Sequence, residues 1–129
     1  MLTIIGDAHG KVDQYKKIID SKDFTIQLGD FGFKQEHEWF EKNVKFATDD
    51  LRLKHMLLPG NHDYPPYDDK PWVIGRSLNK CMFEHSNRKI FCIGGGASLN
   101  KDLRIEGLSW FQDEELSLTT MFEMMEFYE

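Results

Sequence analysis

The strongest constraint on the fold is one punctuation used three times. Leu2-Thr3-Ile4-Ile5 runs into Gly6-Asp7, Phe24-Thr25-Ile26-Gln27-Leu28 into Gly29-Asp30, and His55-Met56-Leu57-Leu58 through Pro59 into Gly60-Asn61. Each run is short, rich in branched or aromatic residues, and stopped by Gly followed by Asp or Asn, as a buried strand ends. Between the runs, residues 11–21 place Val12, Tyr15, Ile18 and Ile19 at helix spacing, and residues 36–48 do the same with Trp39, Phe40, Val44 and Ala47. Strand alternating with helix predicts parallel βαβ units with right-handed crossovers, hence an α/β fold.

After residue 64 the pattern changes. Tyr64-Pro65-Pro66-Tyr67-Asp68-Asp69-Lys70-Pro71 reads as loop or lid, because proline fixes φ and removes backbone donors. Residues 80–85 and 89–93 flank Ser86-Asn87-Arg88 as a β-hairpin leading into Gly94-Gly95-Gly96, which reads as a tight turn, not a nucleotide cradle. Thr120 with Glu123 reads as a capping box for a last helix, with Leu118, Met121, Phe122, Met125 and Tyr128 on one face and acids on the other. Trp72 is either a lid over a site or a hydrophobic plug.

At 129 residues with no repeat or linker, one domain over 1–129 is the economical reading. No apolar run approaches the ~18 residues of a membrane span, and residues 2–5 are too short for a signal sequence. Cys81 and Cys92 cannot form a disulfide framework or a thiolate zinc site by themselves and read as small buried apolar groups, so the chain is expected to be cytoplasmic. Its net charge of −6 comes entirely from residues 113–129, which hold six acids and no Lys or Arg. An acidic tail on a neutral body argues against general nucleic-acid binding. It leaves room for a small phosphorylated substrate whose charge a metal ion offsets.

Parallel α/β sheets gather ligands beyond the carboxyl ends of their strands. Three neighbouring strands would bring Asp7 and His9, then Asp30, then Asn61, His62 and Asp63 to one rim. Carboxylates, an imidazole and an amide oxygen, without thiolate, suit manganese, iron or zinc. Gly6, Gly10, Gly29, Gly32 and Gly60 would permit sharp turns beside them. Taken singly, Gly-Asp or Gly60-Asn61 is more often only a turn, and a lone His9 a solvated surface residue. Three such endings in the required order, each separated by a helix, favour the metal reading.

Gly6-Asp7-Ala8-His9-Gly10, Gly29-Asp30-Phe31-Gly32 and Gly60-Asn61-His62-Asp63 resemble the first three blocks of the calcineurin-like metallophosphoesterases. Ile93-Gly94-Gly95-Gly96-Ala97-Ser98, with Asp102, Arg104, Gly107 and Ser109-Trp110-Phe111, is similar to the middle of some bacterial and phage members. The resemblance implies the N-terminal half of a β-sandwich flanked by helices. It also implies hydrolysis of a phosphomonoester or phosphodiester, a nucleotide included, by metal-activated hydroxide. Asp7 and His9 would hold the first metal, Asp30 would bridge, and Asn61 would bind a second. His62 would sit over the scissile phosphate, with Asp63 orienting its ring.

The family completes its second metal site with later histidines, whereas here no histidine follows His85. The resemblance therefore implies a short, truncated-looking form with one divalent ion (Mn, Fe or Zn) and an incomplete second site. His37, His55 and His85 are expected to be surface or structural. Lys101 and Arg104 are within reach of a substrate phosphate, but a solvated loop is the simpler reading. A half-covered sheet would expose apolar surface, which the last helix, a homo-oligomer or another protein through residues 113–129 would cover. The alternative function is a catalytically weak or inactive relative that binds and modulates another protein.

Overall fold

The computed structural model describes residues 1–44, 54–65 and 69–128. The chain order is β1 (Leu2–Ile5), α1 (Val12–Ile19), β2 (Phe24–Leu28), α2 (Lys34–Asn43), β3 (His55–Leu58), β4 (Met82–His85), β5 (Arg88–Phe91) and α3 (Leu118–Tyr128), with single 3₁₀ turns at Leu78–Lys80, Lys101–Leu103 and Gln112–Glu114. Strands β1, β2 and β3 form a parallel sheet in that order, with Leu2 opposite Phe24 and Thr25 opposite His55. Strands β4 and β5 make a separate antiparallel hairpin. The expected α/β topology of βαβ units, hairpin and C-terminal helix is therefore present.

Strand periodicity sorts the sheet residues between two cores. On one face Ile5 and Leu57 pack with Tyr15 and Ile19 of α1, Phe40 of α2, and Phe31, Trp72 and Val73. Phe31 lies edge-on to Tyr15 and Phe40, with ring centroids 5.0 and 5.6 Å apart. Trp72 is thus a plug in this core, not a lid. On the other face Leu2, Ile26, Met56 and Leu58 meet Phe83, Ile90, Cys92 and Ile74. The hairpin covers that face only in part: Ile4, Leu28 and Ile93 stay exposed beside a groove of ≈840 Å³.

Several expectations shift in detail. Helix α1 buries Tyr15 and Ile19 but leaves Ile18 exposed, and α2 begins at Lys34, two residues before the expected start. Ala47, Pro66, Tyr67 and Asp68 lie outside the described residues. The hairpin turns on Ser86 and Asn87, both at positive φ (53° and 61°), the combination that matches strand twist in a two-residue turn. Both cysteines are buried as expected, and burial pushes the Cys92 thiol up to about 11, which leaves it inert. Helix α3 is capped by Ser117, whose Oγ accepts from Thr120 N at 3.1 Å, so Thr120 is not the cap. Of its apolar residues, Met124 alone is buried, while Leu118, Met121, Phe122, Met125 and Tyr128 are exposed, Tyr128 with one side of its ring 5.0 Å from that of Phe91, centroid to centroid.

Strand β3 opens on buried His55, whose Nδ1 lies 3.0 Å from Thr25 Oγ1. Burial, reinforced by Lys54 and partly opposed by Asp20, holds its pKa below the ordinary 6.5. The unfolded chain then takes up this proton first, so the stabilisation is complete above the unfolded value and is lost as pH falls through the folded one. Urea unfolding at about pH 8 and about pH 5 is expected to show that loss. His55→Asn keeps a polar atom facing Thr25 but cannot titrate, and should shrink it.

Candidate metal centre

The loops leaving β1, β2 and β3 emerge at one end of the sheet and are laced together. The buried Gln27 side chain donates through Nε2 to the carbonyls of Gly6 (3.3 Å) and Gly29, joining the first two loops. His9 N donates to Asp30 O and Gly10 N to Phe31 O, each at 2.9 Å. The third loop approaches so closely that a Cβ on Gly60 would lie 2.3 Å from Asp30 Oδ1, so no larger residue fits without displacing the carboxylate.

This lacing brings three predicted ligands together. His9 Nε2 lies 3.5 Å from Asp7 Oδ2 and 4.0 Å from Asp30 Oδ2. One ligand atom from each of the three residues falls within 4.8 Å of the others. Two donors bound at about 2.0–2.2 Å to one ion are at most about 4.4 Å apart. The trio therefore fits a single divalent ion with slight closure. One nitrogen with carboxylate oxygens and no thiolate suits manganese, iron or zinc. Among the described residues this is the one such trio, and a second site is incomplete.

The backbone carries a matching signature. His9 (φ +44°) and Asp30 (φ +53°) both occupy the left-handed region, which costs roughly 1–3 kcal/mol per residue and persists where surrounding contacts enforce it. The hydrogen bonds between the two loops supply that enforcement. Strain thus falls on two of the three candidate ligands.

The remaining predicted residues come from the β3 loop. His62 N donates to Asp30 Oδ1 (3.1 Å), so Asp30 anchors that loop with one oxygen and faces His9 with the other. The His62 ring lies 6.1 Å from that of His9, centroid to centroid, and both line a cleft of ≈170 Å³ with Asp30, Phe33 and Glu36. Asn61 donates through Nδ2 to Ser98 Oγ (3.1 Å). Asp63 points elsewhere. Its Oδ1 accepts from Phe31 N (2.8 Å) and Gly32 N (3.1 Å) and lies 3.3 Å from His37 Nε2, while Oδ2 accepts from Gly60 N (2.7 Å). Its hydrogen bonds brace the second and third loops, where an orienting contact with His62 was expected.

The residue at the His62 ring is Arg104. Its Nη1 lies 3.1 Å from Nδ1 and its Nη2 3.2 Å from Nε2, with Nη1 also donating to Ser109 O (3.2 Å). A solvated-loop reading missed this cation because the contact spans 42 residues. Its place in the stretch from Gly94 to Phe111 was the available signal. His37 is structural as expected, though fully buried beside Asp63.

No curated protein and no solved structure matches the chain. A family model described as calcineurin-like phosphoesterase matches residues 1–125, a span that includes every residue of this centre and the Arg104 loop beside it. With that coverage, the chain belongs to the calcineurin-like phosphoesterase family.

Proposed function

We propose that the chain is a metal-dependent phosphoesterase acting on a phosphomonoester or phosphodiester, nucleotides included, through one domain spanning residues 1–129. The convergence of Asp7, His9 and Asp30 at single-ion spacing carries this reading. These three would hold manganese, iron or zinc, and Asn61 would offer its amide oxygen to a second ion at the incomplete site. A bound divalent ion supplies a nucleophile near neutral pH and offsets the charge of the phosphate oxygens. His62 faces the same cleft, where its ring would stabilise transition-state charge or protonate the leaving oxygen. Arg104 adds a permanent cation at that ring, suited to a phosphate oxygen. Asp63 serves this site by fixing the loops that carry Asp30 and His62.

A second reading is favoured by the outward apolar residues of α3. The scaffold would then dock on another protein, or on its own copy, through residues 113–129. No helix among the described residues is long and apolar enough to cross a membrane. A cytoplasmic setting and the lack of general nucleic-acid binding complete the proposal.

Hydrolysis of bis(p-nitrophenyl) phosphate decides between the readings. The Mn²⁺-loaded chain is expected to turn it over, and EDTA to abolish turnover. Activity no greater than that of Mn²⁺ in buffer, on this diester and on the monoester p-nitrophenyl phosphate alike, would overturn the enzyme reading.

A further inference from the structure

We propose that Glu114 is a positioning residue that, acting through Ser98, decides which end of the Asn61 amide faces the metal centre. The proposal rests on the phosphoesterase reading for its consequence, but its geometry stands independently.

Glu114 and Ser98 are both buried, at 2 % and 4 % exposure. Glu114 Oε1 accepts from Ser98 N (2.6 Å) and lies 3.6 Å from Lys101 Nζ, while Oε2 accepts from Ser98 Oγ (2.8 Å). An ionised carboxylate only accepts, so the single hydroxyl proton of Ser98 is committed to Glu114. What remains on Ser98 Oγ is lone pairs, which receive Asn61 Nδ2 at 3.1 Å and Arg104 Nη1 at 3.4 Å. One donor and two acceptor positions are thereby filled, which is the full capacity of a hydroxyl.

The direction of this relay matters because the two ends of an amide differ in one respect that a metal senses. A carbonyl oxygen can ligate, while an NH₂ group cannot. With its proton given to Glu114, Ser98 can face only the NH₂ end of Asn61. The amide oxygen is consequently turned away from Ser98, where on the phosphoesterase reading it would be available to an ion. Were the acceptor at position 114 replaced by a donor, Ser98 could offer its proton to Asn61 instead. The amide would then gain by turning over and presenting NH₂ to the centre.

The backbone around Glu114 is held separately. Its carbonyl accepts from Gly96 N (3.2 Å) and from Arg76 Nη1 (3.1 Å). A change confined to the side chain therefore leaves this segment docked, and Glu114→Gln is the variant of choice.

Calorimetric Mn²⁺ titration of the full chain tests the consequence. Glu114→Gln is expected to weaken the Mn²⁺ binding to which Asn61 contributes by about tenfold, the lower end of what outer-shell partners contribute. In an Asn61→Asp background, where both ends of the side chain are oxygens, the same change should produce no loss. An equal loss in both backgrounds would mark Glu114 as merely structural and overturn the proposal, as would no loss in either.

A metal-free measurement separates this proposal from the phosphoesterase reading. The Asn61 side-chain amide resonances, assigned by their disappearance in Asn61→Asp, are expected to move in Glu114→Gln and Ser98→Ala and to return in Ser98→Thr. If wild type takes up no Mn²⁺, the metal reading falls and these resonances alone decide. Movement and rescue would uphold the relay, and indifference would overturn it.

Discussion

Asp30→Asn is expected to remove metal-dependent hydrolysis while leaving the chain folded. The position is unusually tolerant of this exchange. Asp30 sits at φ +53°, a region that asparagine enters at least as readily as aspartate. An asparagine Oδ1 can still accept from His62 N, the bond that anchors the third loop. What changes is the other branch: a neutral NH₂ replaces the charged oxygen that faces His9 Nε2 at 4.0 Å. The trio then loses one ligand atom and one negative charge, and turnover is expected to fall on the order of a thousandfold, about 4 kcal/mol of barrier. Mn²⁺ affinity should fall with it. The metal-free protein should melt at the same temperature or slightly higher, because two of the crowded ligand atoms are carboxylate oxygens of like charge. Undiminished turnover in Asp30→Asn would remove Asp30 from the centre altogether. Asp30→Ala is a poorer probe: it loses the acceptor for His62 N and places a simple side chain at positive φ, so it confounds catalysis with folding.

The contrast between those two variants shows why this part of the molecule was legible in the sequence. The site loops are short, each follows its strand directly, and the Gly-Asp and Gly-Asn endings encode both the turn and the ligand locally. Parallel pairing then brings the three endings together without further instruction. Elements whose meaning depends on distant partners were not legible in this way. Arg104 lies between residues that look like solvated loop, and its partner His62 is 42 residues away. Ser98 and Glu114 carry no local mark of the proton they share. In α3 the apolar spacing gave the helix but not the face it buries, because the helix packs on the 3₁₀ turn at Leu78–Lys80, far back in the chain, and Met124 is the residue buried. The cap lay at Ser117 and not Thr120, since either residue can cap by sequence and only the chain path chooses.

Asp63 presents the same lesson with the largest effect on stability. Its carboxylate accepts from three backbone N–H groups, at 2.7, 2.8 and 3.1 Å, and lies 3.3 Å from the buried His37 ring. Asp63→Ala strands these donors in a site where Asp63 is only 3 % exposed. Each buried donor left unsatisfied costs about 1–3 kcal/mol. The losses share one loop junction and do not simply add, so a destabilisation of about 4–6 kcal/mol is expected, a large part of the ~5–15 kcal/mol that holds an ordinary domain. Asp63→Asn should be milder, at about 2–3 kcal/mol: its oxygen can still receive Phe31 N and Gly32 N, but its NH₂ would then oppose Gly60 N–H. Urea unfolding of the metal-free variants measures both. If Asp63 served chiefly to orient His62, Asp63→Asn would lower turnover and leave unfolding unchanged. The hydrogen bonds require the reverse order, with stability lost in the absence of any metal and activity falling because the loops that carry Asp30 and His62 are no longer joined.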